Sequence, residues 1–304
     1  MKQKIRVALI HKKSYNYFQP EHHDKTTYDF FVTALKRNPN LEMMYFPVEN
    51  RFDTSKLKGK CDIILLPNNR TDGTPDELVG IEKLEIPVIS RTGDSHYAKL
   101  HKQINFHKKW KIDYYFGVIP KSYFYKYYPK EFKYKEIIFG LEPELYQNLK
   151  PFNERIKHEI LNTGVMGNKN LKSRIGNKLL NPGFSGWYLY KLRTLCNDLS
   201  YVHYEGMKNG EYPFADNFPK YLSQYRAGIA ACTVYPVQKY WEMTAAGCLT
   251  FMEMTERNDG YYLGFKDGET SIFINEKNYK NKFEEFLNDT DNKKWQEIAC
   301  AGRE

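Results

Sequence analysis

The sequence predicts an α/β protein made of two doubly wound, mostly parallel sheets. Three observations predict it. Short apolar, β-rich runs such as Ile5–Ile10 and Cys61–Pro67 alternate with helical stretches along the chain. The 304 residues are more than one core usually serves. The stretch Gly140–Glu154 carries two prolines and changes character, which places a domain boundary there, with domains at 1–150 and 151–304. At 41% hydrophobic and 27% charged residues, the composition is globular and not disordered.

Ile5–Ile10 reads as the first strand, buried on both faces. The polar, aromatic loop His11–Pro20 follows it, at the C-terminal edge where open α/β sheets bind ligands. Lys12, Lys13, Tyr15 and Tyr17 either line a cleft there or form a solvated loop. His22, His23 and Asp24 are metal-ligand types, but neighbours in sequence seldom converge on one ion and no partner spacing follows, so no metal site is expected. Tyr28–Arg37 reads as a helix. Strands are expected at Leu41–Pro47, Cys61–Pro67, Ile86–Ser90, Tyr114–Val118 and Ile137–Phe139. The turn-rich Asn68–Pro75 follows one of them. Asp94 and His96 stand just past another, where an Asp can serve as general base and a His can hydrogen-bond a sugar hydroxyl. The alternative is that Asp94 caps a helix and His96 is incidental.

In the second half, Glu159–Thr163 reads as a strand and Gly164–Asn170 as a polar glycine loop. Gly164 and Gly167 let backbone approach a ligand, and Lys169, Lys172 and Arg174 supply charge for a phosphate. A solvated basic turn fits the same residues. Asn177–Asp198 is largely helical after a Pro182-Gly183 break, Leu199–Tyr204 is a strand, Phe218–Tyr225 a helix and Gly228–Cys232 a strand. Pro236 can open the next helix, since its missing N–H has no partner in a first turn, and Gly247 can close it in the left-handed conformation. Leu249–Met252 is then a buried strand. Lys239 and Glu242 share one face near that helix's start, where a lysine can meet a phosphate and a carboxylate can accept bonds from ribose hydroxyls. An exposed ion pair worth a few tenths of a kcal/mol is the plainer reading. A short helix at Asp259–Leu263, a turn at Lys266–Glu269, a last strand at Ser271–Ile274 and helices at Asn281–Asn288 and from Asn292 complete the chain. It stops at Ala301-Gly302-Arg303-Glu304 inside what reads as a continuing helix, so a truncated last helix is expected.

No GxGxxG opens either half, and neither GxxxxGK[ST] nor GxSxG is present, which argues against standard dinucleotide folds, P-loop NTPases and serine hydrolases of the nucleophile-elbow kind. The second half resembles the GT-B glycosyltransferases, especially the group-1 family and its spore-maturation CgeB-like relatives. The resemblance rests on Pro236…Lys239…Glu242…Ala245-Ala246-Gly247, the strand Leu249–Met252, the turn Gly268-Glu269 before Ile272, and the closing Ile298-Ala299…Ala301-Gly302-Arg303-Glu304. It covers roughly residues 158–304; the first half matches in strand–helix order and in the position of Asp94 and His96.

The resemblance implies two Rossmann-like domains facing a cleft, the first for the acceptor and the second for a nucleotide-sugar donor. Glu242 stands where the family binds the ribose, Lys239 lies near the donor phosphates, and the Gly164 loop with Lys169, Lys172 or Arg174 faces the diphosphate. His96 corresponds to the family's cleft histidine. One position departs from the pattern: the glutamate expected eight residues before Glu242 is Val234. The implied activity is transfer of a sugar from a nucleoside-diphosphate sugar to an acceptor hydroxyl, without a metal and with no cofactor beyond the donor itself. Group-1 analogy implies retention; Asp94 acting as a base would imply inversion. Two other classes stand beside this one. Val234 fits an inactive, glycosyltransferase-like binding protein in surface-coat assembly, and the net charge of +9 with 25 tyrosines fits a nucleic-acid-acting protein. The acceptor is then a glycan, a lipid-linked glycan, a protein or a nucleic acid.

The positive residues run along the whole chain without a block of five or six. Five well-separated cysteines, no CxxC pair, no signal peptide and no membrane-length apolar run lead to the expectation of a cytoplasmic protein with reduced thiols.

Overall fold

The computed structural model describes residues 3–15, 27–99, 101–180, 185–206 and 218–304. Tyr17, the His22-His23-Asp24 triplet and the Pro182-Gly183 break lie outside the described residues. The chain forms two compact units, Met1–Gly140 and Leu141–Glu304.

In the first unit, β1 (Ile5–Lys12) leads through α1 (Thr27–Arg37) to β2 (Leu41–Val48) and the short β3 (Arg51–Asp53). Then come β4 (Ile63–Leu66), β5 (Glu77–Val79), β6 (Val88–Arg91), α2 (Asn105–Lys109), β7 (Tyr114–Gly117), α3 (Lys121–Phe124) and β8 (Tyr134–Glu136). The main sheet runs β2-β1-β4-β6-β7-β8, and all its pairs are parallel. The connection reverses direction at β1, so the crevice between the C-terminal ends of β1 and β4 is the topological switch point. Val7, Leu9 and Leu65 are buried beneath it. β3 and β5 pair in a separate two-stranded sheet that the sequence reading does not contain.

The strand expected at Ile137–Phe139 is not there. The edge strand is Tyr134–Glu136, three residues earlier, because its partner β7 ends at Gly117, which pairs with Glu136. The more apolar run after it has nothing left to pair with, and Ile138 is exposed.

The second unit opens with β9 (Ile156–Thr163). Next are α4 (Leu171–Leu180), α5 (Gly186–Leu189), α6 (Lys191–Cys196), β10 (Val202–Glu205), α7 (Phe218–Leu222), β11 (Tyr225–Ala230), α8 (Lys239–Ala245), β12 (Leu249–Glu253) and β13 (Ile272–Ile274). Helices α9 (Tyr279–Asn288) and α10 (Lys293–Arg303) close it. Its sheet, β10-β9-β11-β12-β13, is also all parallel and reverses at β9. The switch point therefore lies between the ends of β9 and β11. Helix α4 begins at Leu171, earlier than the sequence suggests, because the Asn170 side chain accepts the Lys172 N–H at 2.9 Å and starts the first turn.

The core of this unit is apolar and aromatic, with Phe251, Phe283, Phe286 and Trp295 in edge-to-face contact. Helix α10 docks through Gly302, where a Cβ would overlap the Thr270 carbonyl and crowd Thr244 on α8. Gly302→Ala is therefore expected to cost about 1–3 kcal/mol. Thermal melting checks this; an unchanged Tm would mean the helix end shifts freely. Among the described residues, no helix is long and apolar enough to cross a membrane. All five cysteines are free thiols, four of them buried.

Candidate functional site

The second unit's switch point is built from three segments. The first is the end of β9, where Thr163 is buried and Gly164 follows at φ +90°. The second is the loop leaving β11, including Ala231 and Val234. The third is α8. Pro236 does not open this helix as expected: its ring packs against Gly260, and the helix begins at Lys239 with Gln238 as cap. Gly247 closes the turn after it at φ +69°.

This later start puts Lys239 in the first helical position. It is not part of an exposed ion pair, since its residue is only 7% accessible. The ammonium reaches across to β9 and donates to Thr163 Oγ1 at 2.6 Å. It also lies 5.5 Å from the Phe218 ring centre. A Cβ at position 164 would sit 2.7 Å from Lys239 Cε and 3.0 Å from Nζ. Gly164 thus gives the lysine its room as well as supplying the left-handed turn. Gly167 meets a similar demand, because a Cβ there would lie 2.6 Å from the Trp187 Cα.

Burial pushes the Lys239 pKa down to about 8, with Glu242 opposing the shift and Arg193 adding to it. Burial likewise raises Glu242, and Lys239 opposes that. The two residues named from spacing therefore do share one electrostatic environment.

Arg193 is one of two buried charged residues here that the sequence reading does not single out. It is 2% accessible, on α6, and donates from Nη1 to the Val165 carbonyl at 3.0 Å and from Nη2 to the Ala231 carbonyl at 2.6 Å. It ties the loops leaving β9 and β11 together at the switch point. The available signal was a lone arginine among Leu192, Thr194 and Leu195 in an otherwise core-facing helix. Glu253, at the end of β12, was missed as well. It is 2% accessible, burial pushes its pKa up to about 7, and Arg193 opposes that rise.

The other charges expected at the glycine loop have different partners. Lys169 forms an ion pair with Asp198. Arg174 stacks over the Trp187 ring at 4.3 Å. Lys172 is exposed in the first turn of α4. The structure brings Gly164 and Lys239 together, with Glu242 one turn on, and holds Lys169 and Arg174 in contacts of their own. Val234 is buried, so no carboxylate occupies that place.

In the first unit, the loops after β1, β4 and β6 join along one sheet edge. Asn68 donates to Tyr15 Oη at 3.2 Å, and the Gly93 N–H reaches Asn69 Oδ1 at 3.4 Å. Tyr15 is buried, and Lys12 pairs with Asp76 at 3.0 Å. Asp94 occupies the cap position of a short 3-10 turn, Ser95–Tyr97, but its carboxylate accepts no capping bond. It is exposed, whereas His96 is buried. The His96 ring lies 4.4 Å from that of Tyr97, and its Nδ1 is 3.4 Å from Tyr123 Oη. Burial lowers the His96 pKa while Asp94 opposes the shift, so the site favours the neutral imidazole. Among the described residues, no group of three His, Cys, Asp or Glu is placed to hold a metal ion.

Comparison with solved structures places this architecture. HepE from Anabaena, in complex with UDP-glucose, superposes with a TM-score of 0.54 at 10% identity, over 98% of this chain and 93% of its own. A glycosyltransferase from Rickettsia africae ESF-5 gives 0.53 at 10% identity, over 99% and 93%. An alpha-glucosyltransferase in complex with UDP-glucose and DNA containing an abasic site gives 0.53 at 9% identity, over 99% and 94%.

The fold is GT-B.

At these identities the likeness speaks for the architecture. No family model and no curated protein matches the sequence. The GT-B fold accounts for the two parallel sheets.

Proposed function

We propose that this GT-B protein is a glycosyltransferase that moves a sugar from a nucleoside-diphosphate sugar to an acceptor hydroxyl. The observation that carries the proposal is the Lys239 ammonium, buried at the switch point of the second sheet, over a glycine that leaves it room. A buried cation beside approachable backbone suits a diphosphate, whose charge grows as the sugar–phosphate bond breaks. In this reading Lys239 and the Gly164 loop hold the diphosphate, with Lys172 as the remaining exposed cation of that loop region. Lys169 and Arg174 join only by leaving Asp198 and Trp187. Glu242 accepts from the ribose hydroxyls. His96, neutral, hydrogen-bonds a hydroxyl of the reacting sugar or acceptor, and Asp94 is the candidate base. The structural neighbours solved with UDP-glucose support a donor of this class.

Within the fold, the Pro236-to-Gly247 pattern supports the group-1, CgeB-like branch. Val234, in place of that branch's glutamate, means the sugar ring is held by other groups. The reaction draws on the donor alone, with no further cofactor and no metal. Five reduced cysteines support a cytoplasmic setting.

Thermal-shift measurements with UDP, GDP, CMP and ADP sugars test the reading. One nucleotide class at a hundred times its Kd is expected to stabilise the protein by about 2.7 kcal/mol. Glu242→Ala is expected to lose that shift. If no donor shifts the wild type, or if Glu242→Ala responds equally, the donor site is elsewhere or absent.

A further inference from the structure

We infer that the first unit binds the phosphate backbone of nucleic acid through a lysine-rich surface running from Lys99 to Lys135. Lysines occur along the whole chain, but the charge imbalance does not. Residues 1–140 hold 25 Lys and Arg against 16 Asp and Glu, a net of +9, while residues 141–304 hold 21 of each and are neutral. Residues 99–136 alone contain ten lysines and three acids, a net of +7.

The structure makes this imbalance a surface. Nine of the ten lysines are exposed, and Lys111 is half-buried. Lys108 and Lys109 lie on α2, Lys121 opens α3, Lys135 is on β8, and the other six lie in the segments that connect these elements. One aromatic core underlies them: His107 stacks on Phe132 at 3.7 Å, and Tyr115 stacks on the same ring at 5.5 Å. β8 is the sheet's edge strand; Lys135 on it and Lys133 just before it are exposed. Among the described residues, none of the ten is held in an ion pair. In the second unit six lysines, Lys157, Lys169, Lys191, Lys266, Lys282 and Lys294, have carboxylate partners. Uncompensated charge of one sign repels itself, and a polyanion relieves that repulsion.

The kind of polyanion follows from what accompanies the lysines. Lys126, Lys130 and Lys133 lie over the rings of Tyr123, Tyr125 and Tyr114, at 5.4, 5.1 and 4.7 Å. Tyr123 is buried, so these rings serve to hold the ammonium groups in place at the surface, and cations held in this way suit the phosphates of a nucleic-acid strand. An anionic membrane needs an apolar face beside the charge. The exposed large apolar residues here, Ile104, Tyr114 and Ile138, are scattered over different elements and form no such face. The region contains no arginine to read guanine edges bidentately, so the binding is to backbone and not to sequence.

The test uses the full chain and a fluorescein-labelled 20-base-pair duplex in anisotropy titrations. With ~6 phosphates engaged, affinity should fall about 10³-fold between 50 and 200 mM KCl. A variant with Lys108, Lys126, Lys130 and Lys135 changed to Gln should bind at least tenfold more weakly, with a slope shallower by about 3–4. A control with Lys220, Lys277, Lys280 and Lys293 changed to Gln removes the same charge from the second unit and should bind like wild type. Three results would overturn the inference: no duplex binding at 50 mM KCl, equal weakening in both variants, or binding to phosphatidylglycerol vesicles without binding to the duplex. Melting curves show whether each variant is folded. The outcome is independent of the donor reading, because nucleotide-sugar shifts are read separately on the same variants.

Discussion

Lys239→Met is expected to lower kcat/KM for the nucleotide sugar by about 10²–10³-fold. The substitution keeps the length of the stem and removes the one buried cation that reaches Thr163 at the switch point. A diphosphate departing there would lose a preorganised positive charge in a site shielded from water, where such a charge counts most. The wild-type pH profile offers a second check. With Lys239 depressed to about 8, the free enzyme loses this charge as pH rises through that value, so kcat/KM should fall above pH 8. In Lys239→Met that limb should vanish. The same depression has a sign for stability. The unfolded lysine titrates near 10.4, so between about pH 8 and 10.4 the unfolded chain holds more protons and stability rises with pH. Below pH 8 the full cost of the buried charge is present. The Tm difference between Lys239→Met and wild type should therefore change in the wild type's favour from pH 7 to pH 10. A mutant of normal activity would end the assignment of Lys239 to the donor.

Gly164→Val is expected to reproduce that loss without touching the charge. At φ +90° a β-branched residue is strained, by about 1–2 kcal/mol or more. The larger effect is local, because the new Cβ would occupy space 2.7 Å from Lys239 Cε and push the ammonium off Thr163. Nucleotide-sugar kcat/KM should fall by about 10²-fold. Gly164→Ala combined with Lys239→Met supplies the control. Residues that act through one contact are not additive, so the double variant should be scarcely worse than Lys239→Met alone. Additive losses would mean that Gly164 serves the loop and not the lysine.

Much of the fold was legible because parallel strands buried on both faces write themselves as short apolar runs. β1, β4, β6 and β12 appear that way, as does the buried second half of β9, whereas β11 begins at Tyr225, three residues before the strand expected at Gly228–Cys232. β8 was misplaced because an edge strand need not be apolar: Tyr134 points inward, while Lys135 faces solvent. β3 and β5 are three-residue strands whose pairing depends on residues 26 positions apart, and nothing local marks them. At the site, Lys239, Glu242 and Gly164 were legible from spacing and turn chemistry. Burial of Lys239 was not, since it comes from Thr163 and Phe218 across the sheet. Arg193 was illegible for the same reason: its partners, the carbonyls of Val165 and Ala231, lie 28 and 38 residues away. Lys169 and Arg174 were named for their charge, but charge alone could not tell a free cation from one engaged by Asp198 or Trp187.

The contact between Gly164 and Lys239 also bears on ancestry. Two positions separated by 75 residues share one small volume, so neither can drift alone. A descendant that acquires a side chain at 164 is expected to have given up the long cation at 239, and to have moved its positive charge to another strand end. In an aligned set of relatives these two columns should change together, and a lineage with alanine or serine at 164 would be the place to look for a replacement lysine or arginine, or for a protein that has stopped turning over sugar donors.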